Sequence, residues 1–451
     1  MEKIDWKKYL QKEISCSCGK THFCDIEEII IEDHAIKQLT TILARHSYKK
    51  LCVVSDDNTE KAAGFQVYEE LNAAGYTYDK VVFHDPELVP DEEALISLFS
   101  QVPNDCNLIL AVGSGTINDL CRYVSYKMKI DYYIIGTAPS MDGYASNVSP
   151  LIIKHLKTTF EAHPARVILG DLDVIAKAPL HMISAGVGDI LGKYVCLTDW
   201  QIAHIVNDEY ICPEIMALVR QSIQKVAENA TLAAKRDKTA IAAIMEGLVL
   251  SGIAMSYIGN SRPASGSEHH MSHYWEMMFL LSQHEDPLHG TKVGVGTVTA
   301  IRLYEMLKEE KDSLLSSEAP KFDFDNWKKD IQEAYGPAAS GVLALEEQIG
   351  KNSDEEVTRR RKSFQKHQDE IWKVVNELPG AEEIKGILLS MDAPYSPAQL
   401  DVSPELLKKG IYFAKDLRNR FGLLQILFDF HVQEAFSSNL IDEFYQKTKG
   451  F

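Results

Sequence analysis

Three histidines and a glutamate crowd into "SEHHMSH", residues 267–273, within a stretch that otherwise reads as an apolar helix. On a helix His269 and His273 stand four apart and share a face, while His270 points about 100° away. "DPLHGTKVGVG" sets His289 just ahead of a glycine. "SAGVGDILGKYV" sets Asp189 in a Gly-rich apolar helix, with Lys193 one turn later. A single buried histidine is usually structural. A carboxylate, a histidine pair and a further histidine, all on apolar helices of one half of the chain, instead point to a divalent-metal centre. Two imidazoles and a carboxylate leave coordination positions open, as catalytic rather than structural sites do. Such a donor set accepts several divalent ions. Glu268 precedes the first histidine, so the H-E-x-x-H pattern of zinc proteases is absent.

A second chemistry is written in "LILAVGSGTINDL", where Gly113 and Gly115 follow an apolar run and open a helix. Glycines there let the backbone approach a ligand, and the free amides at the next helix's N-terminus can hold a phosphate; an ordinary tight strand-to-helix turn is the plain alternative. The pattern is not G-x-G-x-x-G, because Asn118 stands at the third position. The next run ends in "GTAPSMDGYASNVSP", which offers Thr137, Ser140, Asp142, Ser146 and Asn147 as donors and acceptors. Asp56 and Asp57 end an earlier run and could accept from a ribose hydroxyl; capping of the following helix is the plain alternative. Paired acids at that point favour NAD over NADP.

These residues need a scaffold. Runs at 50–57, 79–85, 107–115, 131–140 and 165–179 read as buried strands, with helical spacing between them. That alternation predicts an α/β fold: a Rossmann-like parallel-sheet domain over 1–178, with ligands outside the strand C-termini. Beyond Pro179 long apolar segments at helical spacing predict an all-α domain over 179–451, with the site in the cleft between the two domains. The charged helix 353–375, with Arg359, Arg360 and Arg361, reads as a solvated face.

The bulk properties agree with an ordinary enzyme. The chain has 451 residues, 45% of them hydrophobic and 25% charged, too long for one compact core. A net charge of −18 argues against nucleic acid or an anionic membrane as partner. The first residues lack the apolar core of a secretory signal, and no apolar run reads as a membrane span. Eight scattered cysteines fit a reducing cytoplasm. "CSCGKTHFC" places Cys16, Cys18, His22 and Cys24 as C-x-C-x3-H-x-C. Such a set could hold zinc, but its spacing matches no common finger, so a small hairpin with buried thiols is the expectation.

Taken in order, "GSGTINDL", "GTAPSMDGYAS", "GVGDILGK", "RPASGSEHHMSH" and "LHGTKVGVG" resemble the sn-glycerol-1-phosphate dehydrogenases. That family lies within the iron-type alcohol dehydrogenase, glycerol dehydrogenase and dehydroquinate synthase superfamily. The likeness runs from about 50 to 300 and resumes near 391–411 and 414–429. It implies Asp189, His269 and His289 as metal ligands, for zinc or nickel ahead of iron. It implies His273 and Asp142 at the substrate, with Asp189 close by and His273 handling a proton. It places Gly113, Ser114, Gly115, Thr116, Ile117, Thr137 and Ser140 along NAD(H) or NADP(H), Ser146 near the nicotinamide and Asp56 near the adenosine. The implied substrate is dihydroxyacetone phosphate, with Arg262, Lys193 and Lys292 as candidate cations for its phosphate, and the implied assembly is a homodimer. The alternatives on this scaffold are a polyol dehydrogenase blind to phosphate and a lyase of the dehydroquinate synthase type.

Overall fold

Short β-branched and aromatic runs, each closed by a glycine or a carboxylate, favour strands buried on both faces. The computed structural model describes residues 4–153, 156–282, 284–316 and 321–446. A small antiparallel hairpin comes first, β1 (Ile14–Ser15) with β2 (Thr21–His22). The main sheet then takes β3 (Glu28–Glu32), β4 (Leu51–Asp56), β5 (Tyr78–Phe83), β6 (Leu108–Gly113) and β7 (Asp131–Gly136). A second hairpin, β8 (Val148–Ile153) with β9 (Leu156–Glu161), precedes the last strand, β10 (Val167–Asp171). Six strands run parallel in the order β3-β10-β7-β6-β4-β5. The expected strands are present but shorter; in the run at 165–179 the strand ends at Asp171, whose side chain caps a helical turn over Leu172–Ile175. β3 and the second hairpin are additions to the expected pattern. The short apolar run of β3 is flanked by acids and carries no alternation to mark it.

The strand order decides where a ligand binds. β4 leads to β5 on one side, whereas β6 returns to the other side of β4 and β7 continues outward. The order reverses between β4 and β6, and their last residues, Asp56 and Gly113, border the crevice that such a reversal opens. α1 (Phe65–Ala73), α2 (Glu92–Gln101) and α3 (Gly115–Met128) follow β4, β5 and β6. Val67 and Leu71 of α1 join Leu51, Val53, Leu108 and Leu110 in one buried apolar cluster.

Past the sheet come α4 (Leu180–Leu191), α5 (Lys193–Asn207), α6 (Pro213–Ala227), α7 (Lys238–Ile258), α8 (Ser267–Ser282) and α9 (His289–Glu309). Further helices follow, among them α10 (Asp354–Lys366) and α11 (Leu423–Asp429). Packing groups the chain into two units. The first holds residues 1–190, 217–261 and 390–392, and the second holds 191–216, 262–389 and 393–451. The change of sequence pattern near 178 marks where strands give way to helices, while packing keeps α7 with the sheet. Met245 of α7 lies over Gly136 and Gly170, where the sheet carries no side chain.

By length and composition alone α7 could cross a membrane. It is apolar all round because it is a core helix: 78% of its most apolar window is buried, and Glu246 in its middle pairs with Lys225 at 2.7 Å. One expectation needs correction: α10 is not simply a solvated face. Arg360 and Arg361 are buried, and Arg360 grips Asp429 of α11 through two bonds of 2.6 and 2.7 Å.

Candidate active site

In the second unit the start of α8 is fixed by a buried carboxylate. Asp199 of α5 accepts from the Ser267 amide at 2.8 Å and hydroxyl at 2.7 Å, from the Leu423 amide at 3.0 Å and from the Tyr304 hydroxyl. Burial and then the neighbouring Glu268 charge raise its carboxyl above the usual range. Glu268 is fully buried; its Oε1 accepts the Gly266 amide at 2.9 Å and lies 2.6 Å from Nδ1 of His269. An Nδ1–H held on a carboxylate makes Nε2 the ligating nitrogen and sets the ring's direction.

α9 then delivers His289. Gly296 makes its approach to α8 possible: a Cβ there would come within 2.6 Å of the Glu268 carbonyl oxygen. The rings of His269, His273 and His289 gather with centroids 5.4–5.8 Å apart. His269 is buried, and the other two are half-buried. Donor atoms of His273, Glu276 and His289 also lie within 4.8 Å of one another. His270 points elsewhere, as its place on the helix requires. Its Nε2 is buried without a hydrogen-bond partner, and burial, then Arg420 and Arg418, hold its pKa well below the ordinary value.

The candidate phosphate cations are committed to the structure. Arg262 binds Glu209 at 2.7 and 3.2 Å and the Phe421 carbonyl at 3.0 Å. Lys292 pairs with Asp286 and, at 3.3 Å, with Glu276. Lys193 is fully buried.

In the first unit the β6–α3 turn has the form that a phosphate needs. Ser114 begins α3 without a side-chain cap, and Ser114, Gly115 and Thr116 are half-buried while Ile117 is buried. The opening amides of a 14-residue helix have no acceptors within it and carry the positive end of its dipole. Thr137, Ser140 and Ser146 are buried along the loop after β7. Arg122, fully buried on α3 and paired with Asp119 of the same helix, braces that loop through the Val148 carbonyl at 2.9 Å and the Gly143 carbonyl. Asp56 caps the turn after β4, accepting from Asn58 and Thr59 amides at 2.8 and 2.9 Å. Both bonds fall on Oδ1, so the cap does not consume the second oxygen.

Asp142 and Asp189 are tied together within this unit. The Asp142 amide donates to Oδ2 of Asp189 at 3.0 Å, and the Asp142 carboxylate accepts from Ser251 of α7 at 2.9 Å. Asp189 is fully buried on α4, two residues ahead of Leu191, where the second unit begins. Gly186 lets α4 lie against the loop, since a Cβ there would meet the Pro139 carbonyl oxygen at 2.0 Å. Sequence reasoning missed Asp199, Arg122 and Ser251 altogether. Glu268 was visible beside the histidines, but a first-turn acid is also what a helix dipole favours.

Over 416 residues the chain is 34% identical to glycerol-1-phosphate dehydrogenase [NAD(P)+] of Geobacillus thermodenitrificans (strain NG80-2), covering 91% of this chain and 95% of that one. The chain belongs to the glycerol-1-phosphate dehydrogenase family. A member from Pyrococcus furiosus is 30% identical over 301 residues, covering 65% of this chain and 83% of its own. The broader family, iron-containing alcohol dehydrogenase, matches residues 30–179. In fold the chain is similar to glycerol dehydrogenase of Schizosaccharomyces pombe, with a TM-score of 0.60 at 16% identity, over 94% of this chain and 92% of that one. Membership of the glycerol-1-phosphate dehydrogenase family agrees with the parallel sheet, the glycine turn after β6 and the imidazole cluster of the second unit.

Proposed function

We propose that the chain reduces dihydroxyacetone phosphate to sn-glycerol 1-phosphate with NADH or NADPH, reversibly and with a divalent metal, zinc or nickel ahead of iron. The observation that carries this reading is the gathering of His269, His273 and His289, with Glu268 orienting His269, in a chain of this family. Asp189, His269 and His289 hold the metal; the burial of Asp189 and the carboxylate behind His269 support that set. When bound, the metal supplies Lewis-acid charge for the substrate carbonyl, and the nicotinamide supplies the hydride.

The chain's own residues do the rest. The amides of Gly115, Thr116 and Ile117, with Gly113 and Ser114 in the turn, receive the pyrophosphate. Thr137 and Ser140 line the dinucleotide, Ser146 approaches its nicotinamide, and Asp56 accepts from its ribose. Asp142 and Asp189 orient the substrate, and His273 gives the carbonyl oxygen its proton. The protein acts as a homodimer in the cytoplasm.

A second ligand set is favoured by one observation, the convergence of His273, Glu276 and His289. Glu276→Gln separates the two. It leaves metal content unchanged if Asp189 and His269 are ligands, and removes the metal if Glu276 is one.

The deciding assay follows NADH oxidation with dihydroxyacetone phosphate against unphosphorylated dihydroxyacetone, after chelation and re-addition of zinc, nickel or iron. Metal-dependent oxidation specific to the phosphate, giving the sn-1 product, is the expected result. Equal rates with both ketones would make the chain a polyol dehydrogenase. No oxidation with any metal would favour the lyase alternative.

A further inference from the structure

We propose that the N-terminal hairpin carries a second, structural metal site, in which Cys16, Cys18 and His22 bind a thiophilic divalent ion such as zinc. The donor atoms of these three residues lie within 4.8 Å of one another, and Cys18 Sγ is 3.4 Å from His22 Nε2. A turn places them. Gly19, at φ +83°, reverses the chain, its amide donates to the Cys16 carbonyl at 3.1 Å, and the Cys16 amide donates to the Lys20 carbonyl at 3.1 Å. β1 and β2 pair through only Ile14–His22 and Ser15–Thr21. Two-residue strands do not hold a hairpin in water, so another force must close this one.

His22 is prepared for such a role. Its ring is buried, stacked on Tyr257 at 5.5 Å, and Nδ1 lies 3.1 Å from the Tyr257 carbonyl oxygen. An Nδ1–H donated to a carbonyl is the usual outer support of a ligating imidazole, and it presents Nε2 to the thiols. Cys24 belongs to a different environment. It is buried, and its thiol is not among the donor atoms that gather with Cys16, Cys18 and His22, which removes it from the four-residue set considered from the sequence. Two thiolates and an imidazole select zinc over harder ions, and a donor from outside the hairpin completes a tetrahedron. The ion staples the N-terminal segment to the end of α7, far along that helix from Met245. It has no part in the proposed reduction.

The test is metal counting on the full-length enzyme purified with zinc. About two metal equivalents per chain are expected, falling to about one in Cys16→Ser/Cys18→Ser, with kcat on dihydroxyacetone phosphate kept and the melting temperature lowered. His22→Asn should behave alike, whereas Cys24→Ser should keep both equivalents. The cobalt-substituted wild-type enzyme gives a second readout that needs no variant. A thiolate-to-cobalt charge-transfer band is expected, and a thiol-blocking mercurial should release one metal without abolishing activity. Unchanged metal content in the double variant would overturn the site. So would the absence of the cobalt band, or a Cys16–Cys18 disulfide in the freshly purified protein. Loss of carbonyl reduction by an otherwise intact two-metal protein would count against the proposed reaction alone.

Discussion

An imidazole ligates well only when it is neutral and turned the right way, so the carboxylate behind it matters nearly as much as the ring. Glu268 is that carboxylate for His269, at 2.6 Å with no exposure to solvent. Glu268→Gln should therefore weaken metal binding by roughly 10- to 100-fold while keeping the fold. His269→Ala and His289→Ala should lower metal content by one equivalent and abolish turnover together. His273→Asn should keep the metal and slow turnover by roughly 10²- to 10⁴-fold, the usual worth of a general acid. Equilibrium dialysis with zinc, run beside NADH oxidation, checks the series. Full metal retention in His269→Ala would sink the ligand assignment. At this scale the histidines were legible because their type and i, i+4 spacing declare a chemistry. Asp199 was not, because the groups that define it, Ser267, Tyr304 and Leu423, come from 68, 105 and 224 residues away. No local pattern marks a carboxylate whose task is to receive such distant partners.

Among the elements, the sheet was legible and the long charged helix was not, for the same physical reason. A parallel strand announces its burial by an apolar run, whereas a buried arginine looks in sequence like an exposed one. Arg360 of α10 is tied to Asp429, and beside it Lys351 donates to the Lys415 and Arg418 carbonyls, with Asp416 3.7 Å away. Burial, opposed by Asp416, lowers the Lys351 pKa to about 8. The native chain therefore gives up this proton near pH 8, while the unfolded chain keeps it until about 10.5. Between those values the unfolded state binds more protons, so this group makes stability rise as pH rises, and below pH 8 its buried charge is a standing cost. Lys351→Met should lose that component. Denaturant melts of both proteins from pH 7 to 10.5 provide the comparison. The wild-type curve should climb relative to the variant's across the window, and parallel curves would show that Lys351 titrates normally.

Over the whole molecule the charge is −18 while the proposed substrate and its dinucleotide are both anions. The long-range field then opposes substrate capture, and only local groups can reverse it: the α3 amides for the pyrophosphate and the bound metal for the carbonyl. Arg262 and Lys292 are engaged with Glu209, Glu276 and Asp286, so they offer little free positive charge. The two fields screen over different distances. The Debye length shrinks from about 30 Å at 0.01 M salt to about 8 Å at 0.15 M, which removes the far field first and leaves contacts within a few ångströms nearly intact. The KM for dihydroxyacetone phosphate should therefore fall as salt rises through this range, at saturating NADH and fixed metal. It should climb again at higher salt, when the local contacts are screened in turn. Uncharged dihydroxyacetone, assayed in parallel, should show neither trend. A KM that rises from the lowest salt onward would mean that a cationic surface near the site outweighs the net charge. The cations responsible would then have to be sought outside Arg262 and Lys292.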